Sequence, residues 1–230
     1  MEGRTERVIV QSSRTYTYLS TTIHTFASVC VCVYYFSPTY YYYKLGRAGG
    51  ACTSALLQVI YNQHDLDPTY HNLSFMDVFL QTRDVIEGMG YPQVPQLSSS
   101  RRIDIHQPFN MMKNDTSGGT RYAVLIGINY TSHKQGQLSG CHNDVGNIKK
   151  YIMDVGKIKA RNITTLMDDD GISIPPTKRN IMKAFDELTR KCQPGDCAFV
   201  HYSGKYIIIL IIIIRVFVCV LYVCFCVSYF

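Results

Sequence analysis

The stretch YAVLIGIN at positions 122–129 decides the fold class of this chain. It is a near-continuous apolar run of strand length, which is typical of a parallel strand covered on both faces. NITTLM at 162–167 and CAFVHY at 197–202 predict a second and a third strand. Turn residues separate the three runs, so each one is expected to cross the sheet once.

Two helices are predicted between these strands. The first covers 143–155, and the second begins at Thr177, a residue type that is favoured at helix N-caps. Apolar residues recur in both helices at three- and four-residue spacing: Val145, Ile148, Ile152 and Val155, then Ile181, Ala184, Phe185 and Leu188. Alternating strands and helices with right-handed crossovers predict an α/β fold, a parallel sheet flanked by helices.

The region before this block is predicted to be mostly helical. One helix covers 51–61 after a Gly-Gly pair, and another covers 72–87, where Ser74 and Asp77 have capping-box-like spacing. The segment YPQVPQLSSS at 91–100 is predicted to be a loop, followed by short extended runs near 103–105 and 109–112. We therefore divide the middle of the chain into 44–112, a linker at 113–120, and 121–205.

The two ends of the chain differ in composition from the middle. Residues 206–230 are apolar except for Arg215 and long enough to span a bilayer. One interpretation is a membrane tail anchor with the rest of the chain in the cytoplasm. The other is translated non-coding sequence, because isoleucine runs and alternating Val-Cys are typical of translated AT-rich and GT-repeat DNA. Residues 1–43 form a low-complexity segment to which we assign no structure.

Composition excludes several classes of function. A formal charge of +6 over 230 residues, without a basic stripe, does not predict a nucleic-acid partner. Five of the nine cysteines lie in the two terminal segments, and Cys192 and Cys197 have no paired Cys or His set, so neither a disulfide framework nor a zinc site is expected. No glycine-rich phosphate loop follows the first strand, which disfavours a nucleotide-binding module.

Ligands of parallel sheets bind beyond the carboxyl ends of the strands. The loop after the first predicted strand contains GCHND at 140–144, and Ser203 and Gly204 follow the third. These two loops are the predicted location of a site. The three acids at 168–170 follow the second strand, but they lack the spaced oxygen ligands of a calcium loop and are predicted to form a solvated turn.

Five segments from this middle region resemble one family. YAVLIGINY, QLSGCHNDV, NITTLMDD, PTKRNIMKAF and QPGDCAFVHYSG are similar, in order and spacing, to the large-subunit region of metacaspases. GGACTSALLQVI and YPQVPQLSSSRRIDI, within 44–112, are similar to the small-subunit region. The small region comes first here, which resembles the rearranged class of the family.

The resemblance implies a caspase-like sheet, present here in part, and a cysteine endopeptidase that cleaves protein substrates after Arg or Lys. Such chemistry needs a thiolate, an imidazole and backbone donors for the oxyanion. The family's histidine follows a Ser-Gly pair, whereas here Ser203 and Gly204 precede Lys205. His201 matches a preceding, non-catalytic histidine, so we expect it to have a role in the strand.

The resemblance also assigns the remaining site residues. Cys141 and Asp144 match a Cys-x-x-Asp whose carboxylate faces the substrate's basic side chain. The alternatives are that Asp144 caps the following helix and that Cys141 is a small buried residue. The catalytic cysteine and the calcium-binding acids of the family lie beyond the matched sequence, so we predict no catalytic residue, metal or cofactor here.

These features lead to two functional hypotheses. The first is a metacaspase homologue that is catalytically inactive as written. The second is a membrane-tethered pseudoprotease that binds basic peptide segments or an active paralogue. A sheet with an unpaired apolar edge predicts low solubility, unless the β-branched tail pairs with that edge.

Overall fold

We analysed a computed structural model of the chain. The structure describes residues 29–34, 49–66, 73–91, 93–99, 104–109, 118–133, 136–193, 195–205 and 221–227.

The centre of the molecule is a parallel sheet with helices on both faces. Strand β3 (Arg121–Gly127) lies between β4 (Ile163–Met167) and β5 (Cys197–Gly204) and is parallel to both. The helix α3 (Cys141–Asp154) follows β3, and α4 (Lys178–Lys191) follows β4. The predicted α/β fold, with its three strands and two intervening helices, is confirmed.

The core has two layers because successive side chains of a strand point to opposite faces. Ala123 and Leu125 of β3 lie in the cluster that includes Ile148 of α3. Val124 and Ile126 lie in the cluster that includes Phe185 of α4. Both faces of β3 are therefore buried from Ala123 onward, which is why the sequence there is apolar at successive positions rather than at alternate ones.

Two helices from the region before β3 complete one side of the molecule's core. Helix α1 (Ala51–Leu66) contributes Leu56 and Ile60 to the layer that contains α3. Helix α2 (Phe75–Gly88) begins after Ser74, whose hydroxyl and backbone exchange hydrogen bonds with Asp77. The predicted capping box is confirmed.

Two strands occur where the sequence predicted no strand. The segment predicted to be a loop after α2 contains β2 (Val94–Ser99), which pairs antiparallel with β1 (Val29–Tyr34) in the segment that we left unassigned. The loop prediction relied on proline. Strand β2, however, lies at the edge of the sheet, where Pro95 is compatible with strand geometry because one side of an edge strand has no ladder to complete.

Part of the apolar tail also belongs to the sheet. Strand β6 (Leu221–Val227) pairs parallel with β5 on one side and β1 on the other, giving the order β2-β1-β6-β5-β3-β4. These residues of the tail therefore fill the edge of β5, which is one of the alternatives that the sequence left open. No helix in the described parts of the chain is long and apolar enough to cross a bilayer. Residues 206–220 and 228–230, on which the tail-anchor interpretation also rests, lie outside the described residues.

Candidate functional site

The residues singled out in the sequence meet at the carboxyl edge of the parallel sheet. Gly127 ends β3, Cys141 begins α3, and Ser203 and Gly204 end β5. Asp144 lies one turn into α3. The structure thus brings Cys141, Asp144 and Ser203 to one edge, as their positions in predicted loops and helix starts indicated.

The Asp144 carboxylate is buried and accepts two hydrogen bonds from distant segments. Asp144 is only 1% exposed. Oδ1 accepts the backbone N–H of Gly50 at 2.8 Å, and Oδ2 accepts the hydroxyl of Ser203 at 2.7 Å. Both partners lie outside α3, so these two bonds are not N-cap bonds of that helix, although Asp144 does lie in its first turn.

Burial controls the protonation of this carboxyl. Removal from water raises the pKa of Asp144 to about 6, because a charged carboxylate loses its hydration, and the hydrogen bonds from Ser203 and Gly50 oppose that shift. The group therefore titrates within two units of neutral pH. Its role in substrate binding stays a prediction.

Glycines allow the backbones around Asp144 to approach each other. A Cβ on Gly140 would lie 3.0 Å from the Cα and carbonyl carbon of Gly49, and one on Gly127 would lie 2.8 Å from the carbonyl oxygen of Cys141. Real Cβ atoms essentially never approach other non-bonded heavy atoms more closely than 3.0 Å. Side chains at these positions would separate α3 from the sheet and from the segment before α1.

Cys141 is held by a residue that the sequence analysis missed. Its backbone N–H donates to Oδ1 of Asn129 at 3.0 Å, and both residues are buried. Asn129 lies two residues after the end of β3, and a polar residue at the end of an otherwise apolar run is the signal that identifies it. The Cys141 side chain is 4% exposed, as expected for a small buried residue, and its contact with substrate stays a prediction.

Asp168 organises the neighbouring loop. Its carboxylate accepts the backbone N–H groups of Asn129 and Thr131 at 2.8 and 3.1 Å, and its Oδ1 lies 2.7 Å from Nε2 of His142. Partial burial raises the pKa of this carboxyl, but the hydrogen bonds outweigh burial and leave it below the usual value. The solvated turn predicted for these acids therefore describes Asp168 poorly, because its side chain joins β4 to the end of β3 and to α3.

The end of β5 contains the remaining predicted residues. His201 is fully buried and pairs in register with Leu125 of β3, which agrees with the strand role expected for it. Lys205 is also buried, and its backbone N–H donates to the Tyr130 hydroxyl at 3.1 Å. Its Nζ lies 5.8 Å from the centre of the Tyr130 ring, within the range of a cation–π contact.

The electrostatic environment of Lys205 differs from that of a surface lysine. Burial lowers the pKa of its ammonium, and Cys141 partly opposes this shift. A Cβ on Gly136 would collide with Nζ, so the loop residue closest to the amine has no side chain. Within the described residues, no three His, Cys, Asp or Glu side chains lie close enough together to hold a metal ion.

Comparison with known proteins identifies the central block. A sequence model of the family "Metacaspase, peptidase C14 domain" matches residues 121–209. Residues 121–209 are metacaspase peptidase sequence. "Metacaspase III c" of Phaeodactylum tricornutum is 43% identical over 159 residues, which are 69% of this chain and 46% of the relative. "Metacaspase-1A" of Aspergillus oryzae is 45% identical over 87 residues, and "Metacaspase-4" of Arabidopsis thaliana 44% over 85, each covering 37% of this chain and 20% of the relative.

The lengths of these matches show how much of the chain is similar to metacaspases. The chain spans less than half the length of each of these relatives. The alignment with the Phaeodactylum protein is longer than the whole stretch from Arg121 to Phe230, so it includes part of the region before Arg121. Metacaspase similarity thus extends into the helical region that contributes Gly50, while the domain boundaries and the inverted order of the two regions stay predictions.

Proposed function

We propose that this chain is a metacaspase-family peptidase homologue that binds protein segments containing Arg or Lys and, in the form of this sequence, does not cleave them. The family assignment supports action on proteins through a cysteine-peptidase framework. The finer claims, basic specificity and absence of cleavage, rest on individual residues.

Lys205 is the observation that carries the absence of cleavage. The resemblance places the family's histidine directly after Ser203 and Gly204, where this chain has a buried lysine. An imidazole accepts a proton from a thiol and returns it to the leaving amine near neutral pH. A lysine ammonium has three donors and no acceptor until it is deprotonated, so it is a poor substitute for that base.

Asp144 supports the basic specificity. A carboxylate that is removed from water interacts strongly with a guanidinium or ammonium, because the low local dielectric strengthens the charge-assisted hydrogen bonds. Asp144 is buried at the carboxyl edge of the sheet, beside the β5 terminus where the resemblance places the catalytic turn. A cytoplasmic location, and the binding of an active paralogue in place of a substrate, belong to the same proposal.

The test measures cleavage and binding on the same molecules. The full chain is incubated with a fluorogenic acetyl-arginine amide in the presence and absence of a thiol-alkylating reagent, and binding of acetyl-arginine amide is measured by calorimetry. We expect binding without hydrolysis, and weaker binding by the Asp144→Asn variant. Hydrolysis that the alkylating reagent abolishes would overturn the absence of cleavage, and equal binding by the Asn variant would overturn the role of Asp144.

A further inference from the structure

We infer that the glycine pair at residues 49 and 50 closes the Asp144 site, and that a basic side chain reaches this carboxylate only when the pair moves away. This inference rests on the proposed function, because it concerns access to the same carboxylate. In the structure both oxygens of Asp144 are already occupied by donors from the protein, and the residue is 1% exposed. A ligand must therefore replace at least one of these donors.

A basic ligand can supply the hydrogen bond that the protein donor gives up at the carboxylate. An N–H of a guanidinium or ammonium can take the place of the Gly50 N–H on Oδ1, while the Ser203 hydroxyl keeps its bond to Oδ2. The ligand brings a positive charge that the present donors lack. The added charge strengthens the hydrogen bond at the carboxylate, and the cost of access is that of moving Gly50 and of removing the ligand's cation from water.

Gly50 is the donor whose backbone lies outside the sheet. Ser203 belongs to β5 and is paired on both sides, with Gly127 of β3 and with Cys226 of β6. Gly50 directly precedes α1 and belongs to no strand, and its neighbour Gly49 touches α3 only where Gly140 lacks a side chain. Displacing the glycine pair breaks the Gly50–Asp144 bond and the bond from the Ser54 N–H to the Gly50 carbonyl at the start of α1, whereas displacing the Ser203 backbone breaks strand pairing on both sides.

Gly140 offers a way to open the site without changing any donor. A Cβ on this residue would lie 3.0 Å from the Gly49 backbone, so Gly140→Ala must shift the glycine pair by a few tenths of an ångström and strains the adjoining Gly50–Asp144 bond. Gly146 is the matched control in the same helix, because a Cβ there meets nothing within 4 Å. Gly49→Ala is a second, milder opening variant: its Cβ would lie 3.1 Å from the Ser54 hydroxyl, which must give way, and in ordinary contact, at 3.4 Å, with the Asp144 carboxylate.

The experiment uses the full chain with acetyl-arginine amide as the probe and acetyl-citrulline amide as its neutral isostere. Affinity is measured by calorimetry, and exchange of the Gly50 amide proton is followed by mass spectrometry. A closed site lowers the apparent affinity by the fraction of molecules that are open, so Gly140→Ala should bind the arginine probe at least about tenfold more tightly than the wild type. The affinity of Gly146→Ala for the arginine probe should equal that of the wild type, and no variant should bind acetyl-citrulline amide more tightly than the wild type does. The Gly50 amide proton should exchange faster only in the opening variants.

The outcomes separate this inference from the proposed function. If the wild type and both opening variants bind arginine with equal affinity, and Asp144→Asn weakens all of them, the proposed function stands and closure by the glycine pair is wrong. If Gly50 exchange accelerates in Gly49→Ala or Gly140→Ala but no variant binds arginine, basic specificity is wrong and the Gly50 contact is structural only. Should Gly140→Ala fail to fold, Gly49→Ala gives the same readouts.

Discussion

Asp144 and Gly50 are 94 positions apart in sequence, yet their side chain and backbone are joined by a 2.8 Å hydrogen bond. This bond connects the start of α3, in the metacaspase peptidase block, to the start of α1 in the preceding helical region. A buried carboxylate is tolerated only when donors compensate for its lost hydration, so Asp144 makes the two regions depend on each other.

Removing the Asp144 carboxylate should destabilise the protein. In Asp144→Ala the Gly50 N–H and the Ser203 hydroxyl lose their acceptor, and a buried unsatisfied polar group costs about 1–3 kcal/mol. Asp144→Asn keeps one acceptor oxygen and should lose less. Urea unfolding at pH 7 measures both variants, and an Ala variant as stable as the wild type would show that the carboxylate does not hold the regions together.

The pH dependence of stability should carry a signature of Asp144. Its pKa is raised from 3.8 to about 6 in the folded chain, so protonation favours folding. The contribution is fully present below pH 3.8 and is lost as the pH rises through 6. Between pH 8 and pH 5 the free energy of unfolding should therefore gain on the order of 1 kcal/mol from this group.

The control for that measurement is Asp144→Asn, which cannot titrate. The difference in unfolding free energy between wild type and this variant should grow as the pH is lowered from 8 to 5. Other carboxyls cancel in the difference, including Asp168, whose pKa shifts in the opposite direction. A difference that stays constant over this range would place the pKa of Asp144 near its ordinary value.

Local signals in the sequence account for the central fold. The apolar run that became β3 is buried on both faces, and Ser74 and Thr177 cap their helices through their own hydroxyls, as their positions predicted. Such features depend on residues within one helix or strand. Strand β1 and strand β2 were missed because each is defined by the other, and Pro95 resembled a loop residue until its edge position was known.

The candidate site was predictable in its members but not in its connections. Cys141, Asp144 and Ser203 were placed together by the rule that strand ends converge, and the structure agrees. The partner of Asp144 was hidden because a glycine N–H carries no signal in a sequence. The role of Asp168 was also hidden, since three consecutive acids at a strand end look alike until one of them accepts backbone donors.

Asp168 and its neighbour Asp170 should respond differently to the same substitution. Asp168→Asn removes one charged acceptor oxygen from a carboxylate that receives three hydrogen bonds and should cost about 1 kcal/mol of unfolding free energy, because hydrogen bonds to a charged group are lost or weakened. Asp170 is exposed and has a φ of 55°, which Asn also tolerates, so Asp170→Asn should change stability by less than about 0.5 kcal/mol. Equal effects in thermal unfolding would contradict the anchoring role of Asp168.

Two glycines at α3 should have opposite sensitivities to alanine. Gly127→Ala places a Cβ 2.8 Å from the Cys141 carbonyl oxygen and from Val145, and overpacking of this kind typically costs about 1–3 kcal/mol. Gly146→Ala lies in open space inside a helix, where alanine is favoured by about 0.5–1 kcal/mol. Chemical unfolding of the two variants checks both signs, and a neutral Gly127→Ala would show that α3 does not need its close approach to β3.

Strand β6 should protect the edge of β5 from aggregation. Val223 is paired with Val200 of β5 and with Cys30 of β1, so Val223→Pro removes a backbone donor from a strand that has neighbours on both sides. We expect the soluble fraction and the unfolding midpoint to fall, because the apolar strand β5 then presents an unpaired edge. Val223→Thr keeps the N–H and a β-branched side chain and is the matched control. If the proline variant stays as soluble and as stable as the threonine variant, β6 contributes nothing to the sheet.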